Sequence, residues 1–395
     1  MREELFFLNH VGQTNEHPFL VHVDRAEGSY IYDKDGKQYL DMIAGVAVNN
    51  IGHRHPKVID AIKRQLDKHL HVMVYGEFIQ DAQQQLAKSL CQALPENLSC
   101  VYAVNSGTEA NEAAIKLAKR YTRRFEIISF RGSYHGSTNG SLSISGNEVK
   151  KMAYRPLLPN VRFLNWNEEE DLEHISSKSA CVIIEPIQGD AGVRIPSKAF
   201  MQALRKKCND VGALLIFDEI QCGMGRTGKL FAFEHYGITP DILTLGKALG
   251  GGMPIGALVS SKKIMEVFTH TPMLGHITTF GGHPVVSAAA AAALDVLCND
   301  IDYREVERLG RKLEEALIKL PQIITCRRIG LMFAFDMQSA EKVEKVVKNC
   351  LANGVITFWF LSHPYSFRLS PPLTITEEEI DKAIQIISNA IEELN

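Results

Sequence analysis

Between residues 100 and 258, short apolar runs alternate with stretches of helical periodicity, and this alternation constrains the fold more than any other feature. The runs that predict strands cover residues 101–104, 126–130, 181–185, 213–217 and 242–245. Strands that alternate with helices form βαβ units around a mostly parallel sheet. The sequence therefore predicts an α/β protein with a mostly parallel sheet in its large domain.

The two ends of the chain predict a smaller α+β domain. Two short strands flank the turn at Asp35-Gly36, and further short strands follow near residues 330–337 and 355–360. Helical periodicity covers residues 56–70, 81–94, 304–320 and 377–394. We expect a large domain over residues 56–300 and a C-terminal small domain over 301–395, with residues 1–55 joining the small domain.

Composition and charge favour a cytoplasmic protein that binds small molecules. The formal net charge of −3 gives no electrostatic reason to expect nucleic acid or an anionic membrane as partner. The amino terminus carries acids where a secretory signal needs basic residues, and no apolar stretch is long enough to span a bilayer. The eight cysteines contain no C-x-x-C pair, which indicates reduced thiols and argues against a structural zinc site.

Two of the predicted strands end in charged side chains. Asp218 follows residues 213–217, and Lys247 follows residues 242–245. Ligands of open α/β sheets bind beyond the carboxyl ends of the strands. A lysine opposite a buried aspartate suits pyridoxal 5'-phosphate: the amine forms a Schiff base and the carboxylate keeps the pyridine nitrogen protonated. Gln221 could donate a hydrogen bond to the phenolic oxygen of the same ring.

A second pattern predicts an anion site at the start of a helix. Ser106 and Glu109 have capping-box spacing, and apolar residues at helical spacing follow them. With Gly107 and Thr108, this segment would direct free backbone N–H groups and two hydroxyls at a phosphate. The alternative is an ordinary capped helix that binds nothing.

Two further motifs have both a functional and a structural interpretation. Tyr134 follows the strand at 126–130 and could stack on the pyridine ring, or it could simply fill a loop. His53 and His55 form an H-x-H pair, but no carboxylate or cysteine stands at matching spacing. We therefore expect these histidines to order a turn, and we expect no metal.

Together, these motifs resemble the class III, ornithine-type aminotransferases, which are pyridoxal-phosphate enzymes of fold type I. The resemblance extends from about residue 28 to residue 372, which is nearly the whole chain. The motifs that carry it are Gly52-His-Arg-His-Pro56, Asn105-Ser-Gly-Thr-Glu-Ala-Asn111, Tyr134-His-Gly136, Glu185-Pro-Ile-Gln-Gly189, Asp218-Glu-Ile-Gln221, Gly223-Met-Gly-Arg-Thr-Gly228 and Gly246-Lys-Ala-Leu-Gly-Gly-Gly252.

The resemblance implies cofactor roles for individual residues. Lys247 would be the Schiff-base lysine, and Asp218 would pair with the pyridine nitrogen. The other residues implied to bind the cofactor are Ser106, Gly107, Thr108, Tyr134, His135, Glu185 and Gln221. Thr279, in the segment His276-Ile-Thr-Thr279, would reach the phosphate of the neighbouring subunit in a symmetric homodimer.

The resemblance also implies a substrate site with two departures from the family pattern. Arg368 would bind the substrate α-carboxylate, and Asp190 stands where relatives carry an acid that pairs with this arginine. Ser137 occupies a position where many relatives place an arginine for a second carboxylate. Val46 occupies a position near which ornithine δ-aminotransferases use a tyrosine. Both differences argue against a plain ornithine enzyme.

The reaction that the resemblance implies is ping-pong transamination. An amino acid or ω-amino donor of the acetylornithine, ornithine, 4-aminobutyrate or lysine kind would give its amino group to a 2-oxo acid, with 2-oxoglutarate expected. A racemase, a decarboxylase or an aminomutase on the same scaffold is the alternative. A protein that binds the cofactor without turnover is a third interpretation, which the Lys247, Asp218 and Arg368 set disfavours.

Overall fold

The structure is a computed structural model that describes residues 2–394. Its strands β1 to β15 are, in chain order, Val23–Glu27, Tyr30–Asp33, Gln38–Asp41, Cys100–Val104, Glu126–Phe130, Val161–Leu164, Ser179–Ile184, Leu214–Asp218, Ile242–Leu245, Gly256–Ser260, Ile323–Ile329, Met332–Met337, Val355–Ile356, Phe358–Trp359 and Ser366–Leu369. Its helices α1 to α13 are Arg2–His10, Ala44–Ala47, Pro56–Leu66, Asp81–Ala93, Gly107–Thr122, Asn139–Ile144, Glu148–Lys151, Lys198–Val211, Lys262–Met265, Pro284–Asn299, Tyr303–Leu317, Ala340–Ala352 and Glu377–Glu392. Short 3₁₀ helices cover Met152–Tyr154, Glu170–His174, Ala232–His235, Lys247–Gly250 and Glu266–Thr269.

The central sheet has seven strands in the order β4-β10-β9-β8-β7-β5-β6. Strands β9, β8, β7, β5 and β6 are parallel to one another. Strand β10 is antiparallel to both of its neighbours, so β4 runs in the same direction as the parallel set. All strands except β10 therefore present their carboxyl ends at one edge of the sheet.

Both faces of this sheet are covered, which explains its uninterrupted apolar runs. Ile183 and Ile216 pack with helix α5 in one buried cluster. Val182 and Leu215, which alternate with them along the strands, belong to the larger cluster on the opposite face. Helix α10 lies in the larger cluster, and its alanine-rich surface is buried nearly throughout.

Two four-stranded sheets are built from the ends of the chain. The first has the order β1-β2-β3-β13, and the second has the order β11-β12-β15-β14. In the first sheet Val355 pairs with Leu40, so the C-terminal segment completes a sheet that the N-terminal segment begins. The domain boundaries after residues 55 and 300 remain predictions.

Most predicted elements lie close to observed ones, with differences at their ends. The helix predicted over 56–70 ends at Leu66, and the one predicted over 377–394 ends at Glu392. No single helix among residues 2–394 is long and apolar enough to cross a membrane. Helices Pro284–Asn299 and Tyr303–Leu317 together have the length and composition of a span, but the pair is bent by 79°.

Candidate active site

Five strands of the central sheet place chemically active side chains at its carboxyl edge. Strand β8 ends at Asp218, and Glu185 directly follows β7. Tyr134 lies four residues after β5, Ser106 two after β4, and Lys247 two after β9. The order and direction of the strands, more than any local motif, therefore bring these residues to one region.

Asp218 is a buried carboxylate whose orientation is fixed by side chains from two other segments. Its Oδ2 atom lies 2.7 Å from His135 Nδ1 and accepts a hydrogen bond of 2.7 Å from Asn111 Nδ2. Its Oδ1 atom accepts from the backbone N–H of Ile220 at 3.1 Å. Buried charges persist only where such donors compensate them. These contacts fix the Asp218 carboxylate at the end of β8, the middle strand of the sheet.

Asn111 links Asp218 to the backbone of His135 and to Thr244, a role that the sequence did not reveal. It is fully buried on helix α5. Besides Asp218, it donates to the backbone oxygen of His135 at 2.8 Å, and its Oδ1 accepts from Thr244 Oγ1 at 2.8 Å. The available signal was a polar residue on the apolar face of α5, next to Ala110.

Lys247 begins a 3₁₀ helix with a left-handed backbone, at φ 43°. This conformation is uncommon for a residue with a side chain and concentrates at functional sites. Burial lowers the pKa of its amine, and the negative charges of Asp218 and Glu185 oppose that shift. The positive charge of Arg368 lowers it further. Lys247, Asp218, Glu185 and Arg368 are thus close enough to act on one another electrostatically.

Two other carboxyl groups near Asp218 are buried. Burial raises the pKa of Glu185 well above its ordinary value, and Asp218 adds to the shift. Glu185 accepts from the backbone N–H groups of Tyr134 at 3.0 Å and Gly189 at 3.2 Å. Burial likewise raises the pKa of Glu219 to about 8, although two backbone N–H groups act in the opposite direction. Asp218 differs from both in being held by side-chain partners, Asn111 and His135, whereas backbone N–H groups bind Glu185 and Glu219.

The predicted phosphate segment is the amino terminus of α5. Ser106 caps the helix, and its hydroxyl accepts from the backbone N–H of Glu109 at 3.3 Å. The other half of the predicted capping box does not form: Glu109 Oε2 accepts instead from both the backbone N–H and the side-chain amide of Asn105, at 2.8 and 2.9 Å. One oxygen thereby satisfies two donors, and the first-turn N–H groups remain available for an anion.

A neighbouring loop closes over Thr108. Thr108 Oγ1 lies 2.9 Å from Thr138 Oγ1, and Ser141 Oγ donates to the backbone oxygen of Thr108 at 3.0 Å. Gly136 has φ 129°, and a Cβ atom there would stand 2.2 Å from Thr108 Oγ1. Only glycine therefore permits this close approach of the loop to the first turn of α5.

Tyr134 and Gln221 both lie next to residues that follow β7. The hydroxyl of Tyr134 lies 3.2 Å from that of Ser137, which is exposed and cannot supply the positive charge of an arginine. Gln221 packs against the backbone of Gly189, where a Cβ atom would stand 2.1 Å from Gln221 Oε1. Both residues are therefore anchored to the segment Glu185–Gly189, Tyr134 through its backbone N–H and Gln221 through its side chain.

Arg368 and Asp190 form a buried ion pair. Arg368 lies on β15, is 5% exposed, and donates to the backbone oxygen of Trp359 at 3.1 Å. Its Nη2 atom lies 3.3 Å from Asp190 Oδ1, and its guanidinium stands over the ring of Phe360 at 4.6 Å. Burial lowers the pKa of Arg368, whereas Asp190 raises it. The guanidinium of Arg368 is well shaped to bind a substrate carboxylate, whereas Asp190 would repel one.

Val46 and Thr279 lie on two other segments of the chain. Val46 belongs to a left-handed turn, Ala44–Ala47, at φ 63°. That turn is joined to the segment after Arg368 by the hydrogen bond from Ser370 Oγ to Ile43 O at 3.0 Å. Thr279 is exposed, next to Thr278, whose hydroxyl accepts from Asn105 at 2.7 Å.

The residues present fit pyridoxal phosphate. The helix terminus with its glycine-lined loop suits a phosphate, and Asp218 suits a protonated ring nitrogen. Lys247 supplies an amine whose lowered pKa favours the nucleophilic form. His135 Nε2 is buried and has no hydrogen-bond partner, which is compatible with a ring contact on that side.

Comparisons with known proteins agree with this site. The chain is similar to an acetylornithine aminotransferase of Methanocaldococcus jannaschii, at 39% identity over 93% of this chain and 92% of the relative. It is 37% identical to a putrescine aminotransferase of Pectobacterium atrosepticum, over 94% of this chain and 82% of the relative. The structure superposes on the ornithine aminotransferase of Toxoplasma gondii with a TM-score of 0.91 and 29% identity, covering 100% of this chain and 96% of that one.

The family described as aminotransferase class-III matches residues 11–391. The predicted fold class and the predicted cofactor are thereby confirmed. The chain belongs to the class III aminotransferases, and its cofactor is pyridoxal 5'-phosphate.

Proposed function

We propose that this aminotransferase moves an amino group from an acetylornithine, ornithine, 4-aminobutyrate or lysine-like donor to 2-oxoglutarate in two half-reactions. The observation that carries the proposal is that Lys247 and Asp218 stand at one edge of the central sheet, while Arg368, paired with Asp190, reaches them electrostatically from a second sheet. The acetylornithine and putrescine enzymes among the similar proteins favour a donor that presents a primary amine on an extended chain.

In this proposal each residue has a definite task. Pyridoxal phosphate, when bound, supplies a ring that withdraws electrons from the substrate carbon. Lys247 carries the cofactor and then moves a proton, for which the lowered pKa of its amine is suited. Asp218 keeps a proton on the ring nitrogen, because Asn111 and His135 hold its charge in place. Glu185 positions the backbone of Tyr134, which would stack on the ring.

Arg368 would bind the carboxylate of 2-oxoglutarate, and Asp190 would cover Arg368 when a donor without a nearby carboxylate is present. Ser106, Gly107 and Thr108 would bind the phosphate, with Gln221 on the phenolic oxygen and His135 acting through Asp218. Ser137 and Val46 would line the donor side, where they leave room and add no charge.

We also propose that the enzyme is a homodimer in which Thr279 reaches the phosphate of the other subunit. Exposed apolar side chains lie in and beside this segment, namely Met273 at 76%, Leu274 at 54%, Ile277 at 46% and Phe280 at 55% exposure. Isolated apolar residues on a surface need no explanation, but a group of this kind favours an interface. The eight unpaired cysteines favour a cytoplasmic location.

The donor is tested with the purified enzyme loaded with pyridoxal phosphate. Acetylornithine, ornithine, lysine, 4-aminobutyrate and glutamate are added one at a time without an acceptor, and the visible absorbance band of the bound cofactor is followed. Loss of the band with a donor, and its recovery with 2-oxoglutarate, supports both half-reactions. A band that persists through the whole panel contradicts the proposed donor class.

The dimer is tested by mixing two inactive variants, Lys247→Ala and Thr279→Ala. In a mixed dimer, one site receives Lys247 from one chain and Thr279 from the other, and therefore has both residues. We expect activity to return on mixing under exchange conditions, at low cofactor concentration. A monomer in light scattering, or a mixture as inactive as its components, contradicts the arrangement.

A further inference from the structure

Asp190 has two cationic neighbours, although it carries one negative charge. Its Oδ1 atom accepts from the backbone N–H of Leu361 at 3.1 Å and lies 3.3 Å from Arg368 Nη2. Its Oδ2 atom accepts from Ser362 Oγ at 2.7 Å and lies 3.4 Å from Lys150 Nζ. Each oxygen thus has one neutral donor and one cation, and Asp190 itself is 4% exposed.

Lys150 reaches this carboxylate from helix α7, where Asn147 caps the helix and also donates to Ser362 Oγ at 3.1 Å. The adjacent basic residue Lys151 is paired elsewhere, with Glu148 at 2.9 Å. Among the described residues, Asp190 is the acid within ion-pair distance of Lys150. The α7 cap and the Ser362 contact therefore hold Lys150 and Asp190 in one local framework.

Lys150 also lies close to Tyr134, the residue proposed to stack on the cofactor ring. Its Nζ atom stands 5.8 Å from the centre of the Tyr134 ring, and its side chain is 32% exposed. It is thus partly desolvated beside Tyr134, where one charge has a measurable effect on a bound anion.

We propose that Lys150 is a positioning residue that retains Asp190 and thereby releases Arg368 for a substrate carboxylate. Three of the four contacts of Asp190 do not involve Arg368, so Asp190 can remain in place when Arg368 turns to a ligand. Without Lys150, Arg368 would be the only cation balancing the buried Asp190 charge, and a substrate carboxylate would have to compete with that pair. The inference rests on the proposed role of Arg368 in carboxylate binding.

The test uses glutarate, a dicarboxylate that cannot react, so it does not depend on turnover. Its dissociation constant is measured by calorimetry on the cofactor-loaded enzyme and on four variants: Lys150→Met, Lys150→Arg, Arg368→Met and Lys206→Met. Lys206, paired with Asp210 on an exposed helix face, is the matched surface control. The donor panel described above separately tests whether the enzyme transaminates.

We expect Lys150→Met to weaken glutarate binding about tenfold, as for one partly buried charge partner, and Arg368→Met to abolish it. Lys150→Arg should stay within about threefold of the wild type, because it restores the charge next to Asp190, and Lys206→Met should match the wild type. The proposal is overturned if Lys150→Met binds as tightly as the wild type, if Lys150→Arg is as weak as Lys150→Met, or if the wild type binds no glutarate.

Discussion

Replacing Asn111 by leucine tests whether the buried hydrogen bonds of Asn111 to Asp218 and to the backbone of His135 stabilise the protein. The leucine keeps the volume and removes both side-chain donors and the acceptor. Asp218 then loses a 2.7 Å donor and the backbone oxygen of His135 loses a 2.8 Å donor, both in fully buried surroundings. A buried group without its partner costs about 1–3 kcal/mol, and more when charged. We therefore expect the free energy of unfolding to fall by about 3–5 kcal/mol.

Thr244→Val removes a single partner from the same network, the hydroxyl that donates to Asn111 Oδ1 at 2.8 Å. Its expected cost is about 1–2 kcal/mol. In Asn111→Leu the Thr244 hydroxyl has already lost this acceptor, so removing the hydroxyl as well should cost little; the two costs should therefore not add, and the coupling energy should be about 1 kcal/mol. Urea unfolding of the cofactor-free enzyme, followed by circular dichroism, measures all three variants.

Asn299→Leu is the matched control, because Asn299 is exposed and bonds Asp295 on the helix surface at 2.9 Å. It should change the free energy of unfolding by no more than about 0.5 kcal/mol. If Asn111→Leu costs about as little as this control, or if the Asn111 and Thr244 effects are additive, the network does not stabilise Asp218 in the way described.

Three further changes probe other parts of the site. Gly140→Ala should weaken cofactor binding, measured by equilibrium dialysis, because the added Cβ would stand 2.1 Å from Glu112 Oε2. Gly12→Ala is the control and should not change cofactor binding, because Gly12 has open space around it. Glu219→Gln should lower stability by about 1–3 kcal/mol, since its amide would face a backbone N–H. Because burial raises the pKa of Glu219 from 4.5 to about 8 in the folded state, unfolding releases its proton between those two pH values. Wild-type stability should therefore fall relative to Glu219→Gln between about pH 6 and about pH 8, and equal slopes would contradict the burial argument. Arg226→Met should lower the unfolding temperature more than any surface substitution, because this fully buried guanidinium serves three oxygens; an unchanged unfolding temperature would contradict that role.

The sequence predicted the central sheet well because its strands are uninterrupted apolar runs between helical stretches. It did not predict β6, Val161–Leu164, or β10, Gly256–Ser260; β10 is antiparallel to both neighbours and is separated from β9 by a short 3₁₀ helix in place of an α-helix. The capping box at Ser106 was half wrong, because Asn105 offers Glu109 two donors and Ser106 offers one.

Side chains that act across long sequence separations were beyond the reach of pattern analysis. Lys150 meets Asp190 across 40 residues, and Asn111 meets Asp218 across 107. Local periodicity places each residue on its own element, but the sheet order decides which elements face each other. Lys247 and Asp218 could be predicted because both stand at strand ends, where the position alone indicates the edge of the sheet.

The central claim is that Lys247 carries the cofactor. The enzyme is loaded with pyridoxal phosphate, treated with sodium borohydride to make the linkage permanent, digested and analysed by mass spectrometry. The structure predicts the cofactor mass on the peptide that contains Lys247, and no label at that site after Lys247→Ala. A label on a different lysine, or a protein that keeps no cofactor after reduction, would contradict the assignment.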